Sequence, residues 1–124
     1  MRWALIAVAV LSACGDRSVE TIQASGLQTP TVETTRSPRD VVACLTPLYD
    51  QVTGNIPAQM RITPSGFELI EMGGLYNAFI FSTISVDGVA NGSAIMGFVS
   101  TDLAYREKHR RKIEAIIRQC AQPD

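Results

Sequence analysis

Two cysteines set the tightest limit on how this chain can fold. Cys44 and Cys120 stand 76 residues apart, which excludes a C-x-x-C redox pair and any short zinc-ligand spacing. Each falls on the apolar stripe of a helical pattern. Val41, Leu45, Leu48 and Val52 recur at helical spacing with Cys44 beside them; Ile113, Ile116, Ile117 and Cys120 lie at i, i+3, i+4 and i+7. Two such helices side by side on one sheet bring the thiols together, so a structural disulfide between first and last helix is expected. In the chain-entropy account, closing a loop of this size contributes about 4.5 kcal/mol. That is a large share for a domain able to bury only about 60–65% of its surface.

The punctuation between the helices reads as β structure. Ser37-Pro38-Arg39-Asp40 opens the first helix, with Ser37 as N-cap, Pro38 at N1 and Asp40 at N3. Pro47 is expected to kink or split it, and Gly54-Asn55 to end it. Two strand patterns at 59–63 and 67–72 flank Pro64-Ser65-Gly66, read as a type I turn with positive φ at the glycine. A strand over 77–86 leads to Asp87-Gly88, with Asn91-Gly92 as a competing hairpin turn. Either turn leaves Phe79, Phe81, Ala94, Met96 and Phe98 on one face, the expected core. Ile80, Ile84 and Ile95 share the other face with Ser82 and Ser93, and together with Val86 they form a candidate partner surface. The last helix is expected to start near Thr101-Asp102. The expected architecture is α+β over residues 37–124: an N-terminal helix, a four-stranded antiparallel meander and a C-terminal helix, both helices on one sheet face.

The N-terminus carries an address. Arg2 precedes an unbroken apolar run at 3–11. Nine helical residues rise only about 14 Å at ~1.5 Å each, against about 30 Å for a bilayer core. The run fits a signal peptide better than a membrane span. Cleavage after Ala13 would put Leu11 at −3, where ordinary signal peptidase requires a small residue. The tetrad Leu11-Ser12-Ala13-Cys14 instead resembles the lipobox of bacterial lipoproteins at all four positions. That resemblance implies a signal peptide at 1–13, lipid on the Cys14 sulfur, cleavage before Cys14 and acylation of the new amino group. Two or three acyl chains exceed what stable anchoring needs. Gly15, where inner-membrane lipoproteins of Gram-negative bacteria often carry Asp, leans the expected location to the periplasmic face of the outer membrane. An exported chain also sits where disulfides persist.

Residues 14–36 are rich in Thr and Ser with Gly26 and Pro30 between them, and read as the lipidated Cys followed by a flexible linker. As a coil, 22 residues would hold the domain about 26 Å from its anchor. The chain has 11 basic and 12 acidic residues, and loss of Arg2 with the signal leaves 10 against 12. Nucleic-acid binders are normally basic overall, so none is expected as a partner.

Catalytic motifs are absent from the sequence, and no cofactor or metal site is expected. His109 is the single histidine, four residues before Ile113 on the edge of the buried stripe, and reads first as a packed side chain. Glu68 and Glu71 are three apart along one strand, which sends them to opposite faces and excludes an acid/base dyad. Around His109 lie Arg106, Lys108, Arg110, Arg111 and Lys112, a solvated surface or a contact for anionic headgroups or an acidic partner. The reading that follows is a membrane-anchored envelope lipoprotein with a non-enzymatic binding or assembly role, partnered by an envelope protein or a second copy. The alternative is a periplasmic enzyme or enzyme inhibitor using the region around His109.

Overall fold

The computed structural model describes residues 18–54, 56–73 and 79–123. The signal peptide, the Leu11–Cys14 tetrad, Gly15, Asn55 and the expected strand start at Asn77 lie outside the described residues. The chain is α+β, with three helices and a six-stranded antiparallel sheet among the described residues. In order these are α1 (Val19–Ser25), β1 (Leu27–Gln28), β2 (Val32–Thr34), α2 (Pro38–Val52), β3 (Gln59–Thr63), β4 (Gly66–Gly73), β5 (Phe79–Val89), β6 (Gly92–Val99) and α3 (Arg106–Ala121).

Four strands, β3 to β6, form the expected meander, and two more extend it. β1 and β2 pair with successive stretches of the outer edge of β6, Leu27 opposite Val99 and Val32 opposite Ile95. Residues from Val19 onward, expected as flexible linker, are therefore folded. Thr29 spans the gap between the two short strands. Its backbone N–H donates to Gly97 O at 2.9 Å, and its Oγ1 accepts from Gly97 N at 2.8 Å. Pro30, which has no N–H to give, falls between these strands where no ladder bond is required. The same segment closes the end of α3: Thr34 Oγ1 donates to Ala121 O at 2.6 Å and Arg36 to Cys120 O at 3.0 Å. Thr and Ser content marked this stretch as loop, but pairing to an open sheet edge overrides local composition.

α2 begins as its sequence dictates, with Asp40 N–H donating to Ser37 Oγ and Pro38 in the first turn. Pro47 neither splits nor ends it; the helix runs continuously from Pro38 to Val52 with Pro47 on its exposed side. α3 starts later than expected. Thr101 and Asp102 lie in a turn, and the helix opens at Arg106 behind Tyr105, which makes no side-chain cap bond. The β5–β6 hairpin pairs Val89 with Gly92, so it turns on Ala90-Asn91, and Asp87-Gly88 continues as strand. Gly92 has φ +148°, and a Cβ there would overlap Thr34 O. Gly66 does not adopt positive φ. It is required because a Cβ would run into Val86 O across the β4–β5 pair.

Both α2 and α3 lie on one sheet face, as expected, joined by the Cys44–Cys120 disulfide at a Cα–Cα distance of 5.6 Å. The strand face beneath them is the opposite of the expected one. Ile84, Val86 and Ile95 are fully buried there with Leu45, Tyr49, Ile113 and Ile117. Ile84, Val86 and Ile95 of the candidate partner surface are thus core, while Ile80 is half-buried opposite Met72. Two causes explain the inversion. A bulge between Glu71 and Met72 leaves Phe81 unopposed, which breaks the alternation that tied Phe79 and Phe81 to the faces of later residues. Ser82 and Ser93, which marked that face as polar, are both buried with hydrogen bonds, to Glu71 and to Arg36 O. Satisfied hydroxyls cost little to bury.

The other face carries α1. Val19 and Ile22 are buried there, and Gln23 Nε2 donates to Glu68 Oε2 at 3.0 Å and Ser85 Oγ at 3.2 Å. β3 is the outer strand at the far edge, and its Met60 and Ile62 are 54% and 76% exposed.

Candidate functional site

His109 lies one turn into α3, with its side chain turned inward toward β4. Its Nε2–H donates to Glu71 Oε1 at 2.7 Å, and the two side chains are only 5% and 8% exposed. Ser82 Oγ donates to the same oxygen at 2.5 Å. With its single proton committed, Ser82 accepts from the Tyr49 hydroxyl, also at 2.5 Å. Tyr49, Ser82, Glu71 and His109 thus form one buried chain linking α2, β5, β4 and α3. Burial, and then the negative charge of Glu71, pushes the Tyr49 phenol well above its ordinary value near 10.

The chain ends at a cleft. A cavity of about 510 Å³ opens between the end of α2, the start of α3 and the β4–β5 ends, a size within the usual range for small-molecule sites. Val52, Ile56, Met72 and Phe81 supply apolar wall; Lys108, His109 and Lys112 supply the polar side. Tyr105 sets its ring edge-on to the His109 imidazole, centroids 5.8 Å apart. His109 Nδ1 has no hydrogen-bond partner among the described residues and opens on this cleft. The arrangement can fix the imidazole orientation through Glu71 and offer one ring nitrogen to a molecule in the cleft. The Ser82 hydroxyl is committed to Glu71 and is not offered to that molecule.

The basic run divides by position. Lys108 and Lys112 stand at the cleft; Arg110 pairs with Glu107 at 3.1 Å; Arg106 donates to Leu103 O; Arg111 is exposed. Glu68 and Glu71 do face opposite ways. Glu68 meets Arg61 at 2.8 Å on the α1 side, where Arg61 also approaches Glu20 at 3.9 Å. Nothing in the sequence marks Tyr49, Ser82 and Glu71 as partners of His109, from which they lie 60, 27 and 38 residues away. Alternation along β4 does place Glu71 on the Leu69 face, but the meeting with His109 depends on the helix lying across that strand.

Among the described residues no helix is long and apolar enough to cross a membrane. No family model, no curated protein and no solved structure matches this chain.

Proposed function

We propose that this chain is a lipid-anchored envelope lipoprotein whose small α+β domain is a non-enzymatic binding or assembly module. Anchoring rests on Leu11-Ser12-Ala13-Cys14, and Gly15 supports the outer membrane as its destination. The binding role rests on β3. This edge strand has no neighbour on its outer side among the described residues, and Met60 and Ile62 stand exposed on it. An open strand edge with apolar side chains is a template for adding a strand from another chain. The partner is an envelope protein or a second copy.

Metabolic labelling with an alkyne fatty acid tests the anchor. The wild-type chain takes up label and fractionates with outer membrane, whereas Cys14→Ser does neither; label retained by Cys14→Ser would refute it. Light scattering and crosslinking of the detergent-solubilised protein test the edge. Ile62→Lys should abolish the dimer or the crosslinked partner while leaving the fold intact, and association unaffected by Ile62→Lys removes β3 as the contact.

A second reading is favoured by His109 Nδ1 on the cleft: a periplasmic enzyme or enzyme inhibitor. A cellular phenotype lost on His109→Gln but not on Ile62→Lys would select it.

A further inference from the structure

The two sheet faces differ in how near they can come to a lipid on Cys14. α1 opens at Ser18, whose Oγ accepts from Thr21 N. Only four peptide units separate Cys14 from Ser18, so the chain between them spans at most about 14 Å. This replaces the reach of about 26 Å that a 22-residue coil would have had. α1 packs on the Glu68–Ser85 side of the sheet, and α3 packs on the Ile84–Ile95 side. With layers about 10 Å apart and a helix radius of about 5 Å, the outer side of α3 lies roughly 25 Å from the α1 axis. A tether of that length lets the domain tilt about its anchor. It does not let the outer side of α3 lie on the bilayer that holds the lipid.

We infer, resting on lipidation of Cys14, that the domain lies with its α1 face against the bilayer surface and its α3 face toward the aqueous compartment. On the α1 side Arg61 is shared between Glu68 at 2.8 Å and Glu20 at 3.9 Å, while Asp87 has only the Ser65 hydroxyl, so acidic groups outnumber basic ones there and anionic lipid adds no attraction. Half-buried Ala94 and Met96 line a shallow cavity there of about 300 Å³. Such a face rests on headgroups without needing anionic lipid. On α3, Arg106, Lys108, Arg111 and Lys112 are exposed with no carboxylate partner among the described residues. Any anionic partner of this helix therefore approaches from the aqueous side, and so does any occupant of the His109 cleft.

The experiment uses the full lipidated protein in vesicles of phosphatidylethanolamine and phosphatidylglycerol. A single cysteine is added at an exposed position of α1 (Ala24→Cys) or of α3 (Arg111→Cys), labelled with a fluorophore and exposed to nitroxide-bearing lipid. Quenching should be several-fold stronger at position 24 than at 111, and should not change when phosphatidylglycerol is omitted. Equal or reversed quenching in protein that floats with the vesicles overturns the orientation and leaves the anchor standing. Failure to float overturns the anchor and the orientation with it. Inserting 20 Gly/Ser residues between Gly15 and Asp16 should bring the two signals close to equal. A contrast that survives the insertion would overturn the short tether as its cause.

Discussion

The sheet buries one carboxylate on each face, and the two are held differently. Glu71, under α2 and α3, shares one oxygen between Ser82 and His109, both buried, and the chain continues to Tyr49. Glu68, three residues earlier, is 7% exposed but meets Arg61, which is 50% exposed, and Gln23 of a seven-residue helix. The first face joins a disulfide, two long helices and a buried polar chain that reaches the cleft at His109. The second is covered by one short helix whose polar contacts sit at the rim. A solvent-reaching partner contributes little to stability, because water screens it in the fold and replaces it on opening. The α1 face should therefore open before the other, as a separate unit in native-state exchange.

The largest effect should come from the bond that ties the first face together. Cys44→Ala with Cys120→Ala removes the loop constraint and should cost about 4.5 kcal/mol, read as a drop in the denaturant midpoint that reductant reproduces in the wild type. A midpoint insensitive to reductant would contradict this. Next is the buried pair. His109→Ala leaves Glu71 with Ser82 alone and should cost about 3 kcal/mol; His109→Gln, which keeps a donor, should recover part of it. Glu68→Gln, the matched change on the α1 face, should cost under about 1 kcal/mol. Equal losses at the two carboxylates would erase the contrast between the faces.

Alkaline pH sharpens the comparison on the first face only. The folded state holds the Tyr49 proton more tightly than the unfolded chain does. Its contribution is therefore complete below about pH 10 and is lost as pH rises from there toward the folded value, at about 1.4 kcal/mol per pH unit. Tyr49→Phe should flatten that slope, with tyrosinate absorbance near 295 nm as the check. One change should be a gain. Thr83 Oγ1, on the α1 face, is buried without a hydrogen-bond partner among the described residues. Thr83→Val keeps the shape and removes the unmet hydroxyl, so it should raise stability by about 1 kcal/mol. A loss on Thr83→Val would mean that the hydroxyl is satisfied by water.

Reading faces from strand alternation succeeded where the ladder is regular and failed where it is not. Glu68 and Glu71 separate as period two requires, because β4 runs unbroken between them. Phe81 and Ser82 do not obey it, because the bulge inserts one residue opposite Glu71 and Met72. No residue type announces that bulge. The polarity of Ser82 and Ser93 pointed outward for a similar reason: a hydroxyl looks exposed until its partner is known, and Tyr49 and Arg36 are 33 and 57 residues away. His109 was legible as a packed histidine. Its bond to Glu71, 38 residues distant, was not.

By itself the sequence determined what local chemistry can determine. Ser37 and Pro38 start α2, periodic apolar residues make Cys44 and Cys120 face inward, and Pro64-Ser65 turns β3 into β4. The disulfide between α2 and α3 was expected from those two helical periods together with the exported context, and it is present. The tertiary structure decided everything that depends on a distant surface. It folded the Thr-rich stretch after Ser18 onto the edge of β6 and chose which face of the sheet became the core. Caps and periods are set by residues within a turn of each other. Edge pairing, bulges and buried hydroxyls are settled by partners that only the completed fold brings within reach.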